Sequence, residues 1–460
     1  MKVKVKNLGP IKQAEYNVGD FTIICGRNNT GKTYITYALY GFFKYWKTGF
    51  KFPFKGINKL IEEGKLSINL IKYRERTKEI LKQASKEYQR FLDRVFAAKE
   101  GTFDNTTFEL SVEQSQIDLS DISYQRTISL AKTELISIFK DKKENFLKIN
   151  LLTDTKSLDV PKELLHNLIG DALKEILFKK IIPRVFIASA ERTGAAIFRK
   201  DLDFARNRLI EQIGEKKTKI DIFSLIEKVS DSYALPVRDN VDFTRRLEDI
   251  AKTQSVLAKK YPELLAEFAD IIGGEYRIIR DEVVFVPGNN KRIRLPMVQS
   301  SSAVRSLLDI GFYLHHIACP GDMLMIDEPE LNLHPENQRL IARLLARLVN
   351  VGIKVFVTTH SDYIIKELNT LIMLNQPNKE IQNIRKSKGY REDELIDAKN
   401  IKVYMAKKNK ILLNGYKRKT SVLTLVEADI DPSLGIEAET FDKTIDDMNR
   451  IQDAIIFSGD

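Results

Sequence analysis

A short stretch near the start of the chain combines two glycines with a lysine and a threonine. Its eight residues are Gly26, Arg27, Asn28, Asn29, Thr30, Gly31, Lys32 and Thr33. Glycines let a backbone curl until successive N–H groups converge on an anion at the positive end of a following helix. In such a loop Lys32 reaches the β- and γ-phosphates of a nucleotide, and the Thr33 hydroxyl is a ligand for Mg²⁺. The stretch therefore predicts a triphosphate-binding loop.

Two adjacent carboxylates lie far along the chain. Asp327 and Glu328 directly follow the apolar run 323–326. A run of this length is typical of a buried strand, and α/β sheets bind ligands at the carboxyl ends of their strands. We expect Asp327 to hold Mg²⁺ through water, and Glu328 to act as general base on the attacking water. The alternative is a strand that simply ends in acidic residues.

Two further stretches are predicted to be buried strands that end in polar residues. His360 follows the run 353–359, where its side chain could contact the γ-phosphate. Glu191 and Arg192 follow the run 185–188. They face the nucleotide or form a structural ion pair, and the sequence leaves both interpretations open.

These side chains need strands that end side by side. The apolar runs supply buried strands, with one more at 21–25 directly before the glycine-rich loop. Residues 34–40 continue from that loop as a helix, and a strand that turns into a helix is the context that phosphate binding requires. The chain is therefore predicted to be an α/β protein.

The residues between the two halves of the site show mainly helical periodicity. Residues 71–98 have apolar side chains at helical spacing, which predicts an amphipathic helix. Residues 103–129 indicate a few strands, whereas 133–148, 161–182 and most of 201–272 are predicted to be helical. The heptads do not persist long enough for an extended coiled coil, so we expect a compact lobe.

The charge of the chain is unevenly distributed. The net charge of +11 comes with Lys/Arg-rich zones at 41–100 and 379–420, and the tail from Val422 onward is acidic. The sequence leaves several roles open for these basic zones. They contact nucleic acid or an acidic partner, or they form a solvated helix face, or they pair with the acidic tail. The length of 460 residues predicts two or three compact units. Since the sequence has neither a long apolar run nor a signal-peptide pattern, we expect no membrane contact and a cytoplasmic location.

Together, these motifs resemble the ABC-type ATPase head shared by SMC-like DNA-repair ATPases, RecF and the OLD family of bacterial defence ATPases. The resemblance rests on the phosphate loop, on Ile326-Asp327-Glu328-Pro329-Glu330 and on Thr359-His360-Ser361. It implies that the cofactors are ATP and Mg²⁺, that Glu328 is the catalytic carboxylate and that His360 is the switch histidine.

The resemblance also implies an architecture. The predicted fold class is α/β, an ABC-type P-loop NTPase head with a mixed sheet flanked by helices and a compact, mostly helical insertion lobe. The predicted parts are the head at 1–45 and 275–380 with strand 183–194, the insertion at 46–182 and 195–274, and a C-terminal region at 381–460 that completes the head or contacts a partner.

Heads of this family carry a serine- and glycine-rich signature that reaches across a dimer to the ATP of the other subunit. Ser300, Ser301 and Ser302 occupy that place here, directly before the apolar stretch 307–317, although the usual glycine pair is missing. Hydroxyls and free N–H groups at a helix N-terminus suit an anion. The resemblance therefore implies a homo-oligomer of at least two subunits, with a composite site between them.

The resemblance leaves three functions to weigh. OLD nucleases carry a Toprim domain after the head, for which the chain beyond His360 is too short. The organisation is similar to the stand-alone ATPase subunits of anti-phage systems, such as AriA of PARIS, which partners a Toprim nuclease, and PtuA of Septu, which partners an HNH nuclease. The leading hypothesis is an oligomeric ATPase scaffold that holds a separate effector and releases or activates it when phage, for example a phage protein, is sensed. The alternatives are a DNA-binding repair ATPase of RecF or SMC type, and a module that senses ATP without hydrolysing it.

Overall fold

The computed structural model describes residues 1–113, 115, 117–130, 133–152, 161–197, 233–413, 415, 417–437 and 439–456. Of the predicted helical stretch 201–272, residues 201–232 lie outside this part of the chain. The chain divides into two compact units. The first comprises Met1–Lys4, Phe42–Phe91 and Thr106–Arg184, and the second comprises Val5–Gly41, Leu92–Asn105 and Val185–Asp460.

The elements are numbered here in chain order. The strands are β1 (Lys2–Leu8), β2 (Ile11–Asn17), β3 (Phe21–Cys25), β4 (Lys65–Asn69), β5 (Thr107–Ser111), β6 (Tyr124–Leu130), β7 (Thr133–Lys140), β8 (Phe146–Leu151), β9 (Val185–Ala188), β10 (Gly274–Ile279), β11 (Glu282–Pro287), β12 (Leu295–Pro296), β13 (Met323–Asp327), β14 (Lys354–Thr359), β15 (Ile401–Leu412), β16 (Lys419–Glu427), β17 (Ile430–Asp431) and β18 (Gly435–Ile436). The helices are α1 (Lys32–Thr48), α2 (Ile57–Glu63), α3 (Leu70–Glu75), α4 (Thr77–Gln89), α5 (Leu92–Val95), α6 (Lys162–Phe178), α7 (Arg192–Ile197), α8 (Leu235–Arg245), α9 (Leu247–Ile250), α10 (Val256–Lys260), α11 (Pro262–Ile272), α12 (Ser302–Ser306), α13 (Leu308–His316), α14 (Pro335–Asn350), α15 (Asp362–Met373), α16 (Lys379–Ser387) and α17 (Glu439–Ile456), with 3₁₀ turns at Met297–Gln299 and Glu392–Glu394.

A six-stranded sheet forms the centre of the second unit. Its strand order is β16-β15-β3-β14-β13-β9. All pairs are parallel except β15 with β16, so the sheet is mixed as predicted. Strands β3 and β13 are buried along their whole length, which is why they appear in the sequence as unbroken apolar runs.

The register of this sheet brings the polar strand ends to one edge. Cys25, the last residue of β3, pairs with Thr359, and Asp327 pairs with Thr358. Because parallel strands end at the same side, the glycine-rich loop, the acidic pair and His360 all emerge there.

Helices α13, α14 and α15 cover the sheet and supply much of its core. Leu308, Leu345 and Leu368 belong to the same buried cluster as the strand residues Ile326 and Val357. None of the helices in the described part of the chain is long and apolar enough to cross a membrane.

The first unit contains helices and a four-stranded antiparallel sheet in the order β4-β8-β7-β6. The predicted helix at 161–182 is confirmed as α6, and the predicted strands at 103–129 include β5 and all but the last residue of β6. The predicted helix at 133–148 is wrong, because this stretch forms β7 and the start of β8. Ile136, Ile138 and Lys140 are buried at alternate positions, which is the period of a strand, and the two β-branched isoleucines favour that conformation.

The predicted amphipathic helix at 71–98 is split into three. The longest piece, α4, buries Ile80, Leu81, Ala84 and Tyr88 as its spacing predicts. The boundaries proposed for the head and the insertion stay a prediction.

Candidate active site

The glycine-rich loop joins β3 to α1, and its two glycines are required by the backbone. Gly26 has φ 145° and Gly31 has φ 88°, which side-chain-bearing residues rarely adopt. A Cβ added to Gly26 would lie 2.6 Å from the Ala406 carbonyl oxygen, and one added to Gly31 would lie 2.8 Å from Ile11 Cγ1. The loop therefore curls as a phosphate-binding loop must, directly before the N-terminus of α1.

Lys32 folds back across this curl. Its Nζ donates to the carbonyl oxygens of Gly26 and Arg27, at 2.9 Å each, and the residue is buried. Burial lowers the pKa of Lys32, while the nearby Glu328 and Asp327 carboxylates act in the opposite direction. Arg27, Asn28 and Asn29 are exposed, and the Thr30 hydroxyl donates to the Arg27 carbonyl at 2.7 Å. A positive charge thus lies inside a loop that is open to solvent.

Asp327 and Thr33 meet at the same edge, although most of the chain separates them in sequence. The Thr33 hydroxyl donates to Asp327 Oδ2 at 3.0 Å, and the Thr358 hydroxyl donates to Oδ1. Burial raises the pKa of Asp327 to about 6, against the effect of these two hydroxyl donors. A carboxylate beside a hydroxyl provides the oxygen ligands that Mg²⁺ prefers, so these residues fit that ion.

Glu328 stands beside His360 through an unusual backbone turn. Glu328 has φ 56°, a left-handed conformation that is costly for a residue with a side chain. Its N–H donates to the Thr358 carbonyl at 3.0 Å, which fixes the turn to β14. His360 Nδ1 lies 3.4 Å from Glu328 Oε1 and 3.3 Å from Glu330 Oε1.

Glu330 anchors the histidine from the other side. Its Oε1 accepts from the His360 backbone N–H at 2.7 Å and from the Thr359 hydroxyl at 2.8 Å. Glu330 is buried, so these bonds hold the turn after β13 against the end of β14. The sequence identified Glu330 only as part of the family motif, not as a residue that orients His360.

Arg192 connects the parts of the site, and we did not predict this role. Its Nη1 donates to the carbonyl oxygens of Asp327 (2.7 Å) and Ser189 (2.8 Å), and its Nη2 donates to that of Glu328 (2.7 Å). Its Nε donates to the Ser306 carbonyl at 2.7 Å. Only 1% of Arg192 is exposed. One guanidinium therefore ties the acidic turn, the end of β9 and helix α12 together.

The two charged residues at the end of β9 do not pair with each other, so the structural ion pair between them is not formed. Glu191 is exposed and accepts from the Tyr37 hydroxyl at 2.9 Å, rather than pairing with Arg192. The charge of Arg192 interacts instead with that of Asp309, whose carboxylate is buried without a hydrogen-bond partner among the described residues. Burial raises the pKa of Asp309 to about 7, and the Arg192 charge acts against that rise.

Arg192→Lys is expected to destabilise the protein by about 2 kcal/mol, because a lysine cannot reach all four carbonyl oxygens and leaves some of them buried without a donor. Urea unfolding of both proteins measures the difference. Arg246→Lys is the matched control, since Arg246 is exposed and should change stability by less than about 0.5 kcal/mol. Equal stabilities of the wild type and Arg192→Lys would contradict the connecting role.

The three serines lie at the start of α12. Ser301 caps this helix by accepting from the Val304 N–H at 3.3 Å, Ser300 is buried, and Ser302 accepts from Arg305 at 3.2 Å. Ser301 and Ser302 are exposed. The structure thus brings Lys32, Thr33, Asp327, Glu328 and His360 to one sheet edge, while the serines begin a separate helix that Arg192 links to that edge.

Comparison with protein families identifies the family of the chain. A family model described as AAA ATPase domain (AAA_15) matches residues 1–365. The chain belongs to this AAA ATPase family. The match spans the loop, the acidic pair and His360, and with the mixed sheet it confirms the predicted fold class. No curated protein matches this AAA ATPase.

Several solved structures are similar to this AAA ATPase at low sequence identity. An SmcHead bound to the C-winged helix domain of ScpA shares 14% identity with a TM-score of 0.31, covering 92% of this chain and 97% of the other. An SMC head domain from Thermotoga maritima shares 11% with a TM-score of 0.30, covering 93% and 98%. An Smc head domain with an extended coiled coil, bound to the C-terminal domain of ScpA derived from Pyrococcus furiosus, shares 12% with a TM-score of 0.31, covering 98% of each chain.

Proposed function

We propose that this AAA ATPase hydrolyses ATP with Mg²⁺ at a site completed by a second copy of the chain, and that turnover controls a separate effector protein. The hydrogen bond between Thr33 and Asp327 is the observation that supports ATP hydrolysis, because it joins the phosphate loop to the acidic end of β13. Glu328 and His360 lie at the same edge of the sheet, beside the place where a water would attack the γ-phosphate.

The chain's own groups account for binding. Loop N–H groups and the Lys32 ammonium hold the β- and γ-phosphates, and Lys32 exchanges its two carbonyl acceptors for phosphate oxygens. Thr33 and Asp327 would hold Mg²⁺, which when bound neutralises charge that develops on the phosphates.

The chemical step needs one proton acceptor. Glu328 accepts a proton from water while the water oxygen bonds to the γ-phosphorus, and the bond from phosphorus to the bridging oxygen breaks to release ADP. His360, placed between Glu328 and Glu330, contacts the γ-phosphate and keeps the carboxylate of Glu328 in position.

A second copy would supply the serines. Ser301 and Ser302 are exposed at the start of α12, where their hydroxyls are accessible to another molecule. The resemblance to ABC-type heads, in which the signature reaches the nucleotide of the other subunit, supports this assignment. Assembly is then a requirement for hydrolysis, and turnover per chain should rise with protein concentration.

Ser301→Arg is expected to spare ATP binding and abolish turnover, because a long cationic side chain would block the contact between copies. Binding of a fluorescent ATP analogue and release of phosphate measure the two effects. Asn378→Arg is the matched control, since Asn378 caps the exposed helix α16 by accepting from the Glu380 N–H, and its replacement also removes one capping bond, which costs about 1 kcal/mol. Normal turnover by Ser301→Arg would contradict the shared site.

The second part of the proposal is that ATP turnover controls a separate effector protein. It is supported by the resemblance to stand-alone ATPase subunits of anti-phage systems, whose partners are Toprim or HNH nucleases. Tagged wild-type and Glu328→Gln proteins, purified from the native host, should both bring down a second chain encoded beside this one, with more of it on the ATP-trapped variant. Purification without a partner, together with unchanged phage sensitivity of cells carrying Glu328→Gln, would contradict it.

A further inference from the structure

The C-terminal hairpin of the central sheet extends beyond the sheet, next to the phosphate loop. Strand β15 pairs with β3 only as far as Met405, the partner of Cys25. From Ala406 to Leu412 it continues in antiparallel pairing with β16. Ala406 is also the residue whose carbonyl oxygen faces Gly26. A two-stranded ribbon about 20 Å long therefore starts beside the phosphate loop. At its base β16 also contacts β2, where the Thr424 hydroxyl donates to the Gln13 carbonyl at 2.6 Å.

This ribbon is strongly basic. Between Ala406 and Val426 the sequence has six lysines and arginines and no acidic residue. Five of the six are exposed, and none of these five forms an ion pair with another described residue. They are Lys408, Lys410, Lys417, Arg418 and Lys419.

The strand register gathers part of this charge on one face. Residues at alternate positions share a face, so Lys408, Lys410 and Leu412 point to the same side of β15. Leu412 pairs directly with Lys419, which adds a third lysine to that side. The lysines on β15 are separated by about 6.7 Å, the rise of two strand residues.

We propose that this ribbon is a nucleic-acid-binding element that contacts the phosphates of a duplex. A polyanion is the partner that such a face fits, since a duplex carries a charge every ~1.7 Å and releases counterions when lysines neutralise its phosphates. The major groove of DNA also admits a two-stranded β-ribbon. Protein interfaces, by contrast, are depleted of lysine at their centres. This surface goes beyond the proposed function, which assigns no role to nucleic acid.

The test compares two charge-matched triple variants. One is Lys408→Ala with Lys410→Ala and Lys419→Ala on the ribbon; the other is Lys379→Ala with Lys386→Ala and Lys388→Ala at the exposed helix α16 and its end. Fluorescence anisotropy with a labelled duplex of about 30 base pairs, at several salt concentrations, measures binding. The ribbon variant should bind about tenfold more weakly or worse, and its salt slope should fall by about 0.9 for each phosphate that is no longer neutralised. The α16 variant should bind as the wild type does.

Three outcomes would overturn the proposal. The first is that the wild type does not bind the duplex at low salt. The second is that both triple variants lose the same affinity for the duplex. The third is that the wild type binds anionic vesicles or polyglutamate through the ribbon but does not bind the duplex. ATP hydrolysis without nucleic acid should be the same in both variants and the wild type, so the ribbon can fail as a binding element while the proposed ATPase stands.

Discussion

Glu328→Gln is expected to lower kcat for ATP hydrolysis by about 10²–10⁴-fold while ATP still binds. An amide has the same shape as the carboxylate but cannot accept the proton of the attacking water. The backbone turn should persist, because its bonds to Thr358 and Arg192 use main-chain atoms of residue 328. Single-turnover phosphate release at saturating ATP measures the effect.

The same variant should trap ATP and stabilise the assembled form. Sedimentation velocity with and without ATP should show a larger species for Glu328→Gln only when nucleotide is present. Glu380→Gln on α16 is the control for a lost surface carboxylate, and it should behave as the wild type. The assigned role of Glu328 would be contradicted if the Glu328→Gln protein had the same size with and without ATP and hydrolysed ATP at the wild-type rate.

Lys32→Ala is expected to weaken ATP binding by about 100-fold or more, and turnover should disappear with it. The ammonium makes two hydrogen bonds within the loop, and charge-assisted bonds to phosphate oxygens contribute about 1.5–3 kcal/mol each. Isothermal titration with ATP and Mg²⁺ measures the change.

The control for this substitution lies in the same helix. Lys47→Ala changes an exposed lysine at the other end of α1 and should leave binding unchanged. Thermal unfolding without nucleotide should show both variants folded. Wild-type affinity in a folded Lys32→Ala protein would show that the loop does not hold the triphosphate.

The central sheet and its polar edge could be predicted because the information is local. The apolar runs that became β3, β13 and β14 are buried on both faces, so each is a continuous block that needs no long-range knowledge to identify. The residues at their ends then follow from the rule that parallel strands present their carboxyl ends together.

Arg192 could not be predicted in its role, for a physical reason. Its four acceptors are backbone carbonyl oxygens of Ser189, Ser306, Asp327 and Glu328, and every residue of any type has such an oxygen. Only the fold brings them within reach of one guanidinium. The sequence signal was limited to a charged residue at a strand end.

Strand β15 was hidden by its composition. Residues 379–420 appear in the sequence as one basic zone, yet Val403 and Met405 are buried beside β3 while Lys408 and Lys410 are exposed beyond it. One strand thus runs from the core into solvent, so its sequence has no single pattern of apolar and polar residues from which a strand could be predicted. Pairing with β3 on one side and β16 on the other determines the structure there.

Complementation between two inactive variants tests the central claim most directly. Ser301→Arg retains an intact loop and acidic pair, whereas Lys32→Ala retains intact serines. Mixed in equal amounts and allowed to exchange, they should recover about a quarter of the wild-type ATP turnover, since half of the dimers are mixed and each mixed dimer has one complete site. Turnover that stays at the level of the separate variants, although mixed dimers form, would show that two copies do not share the site.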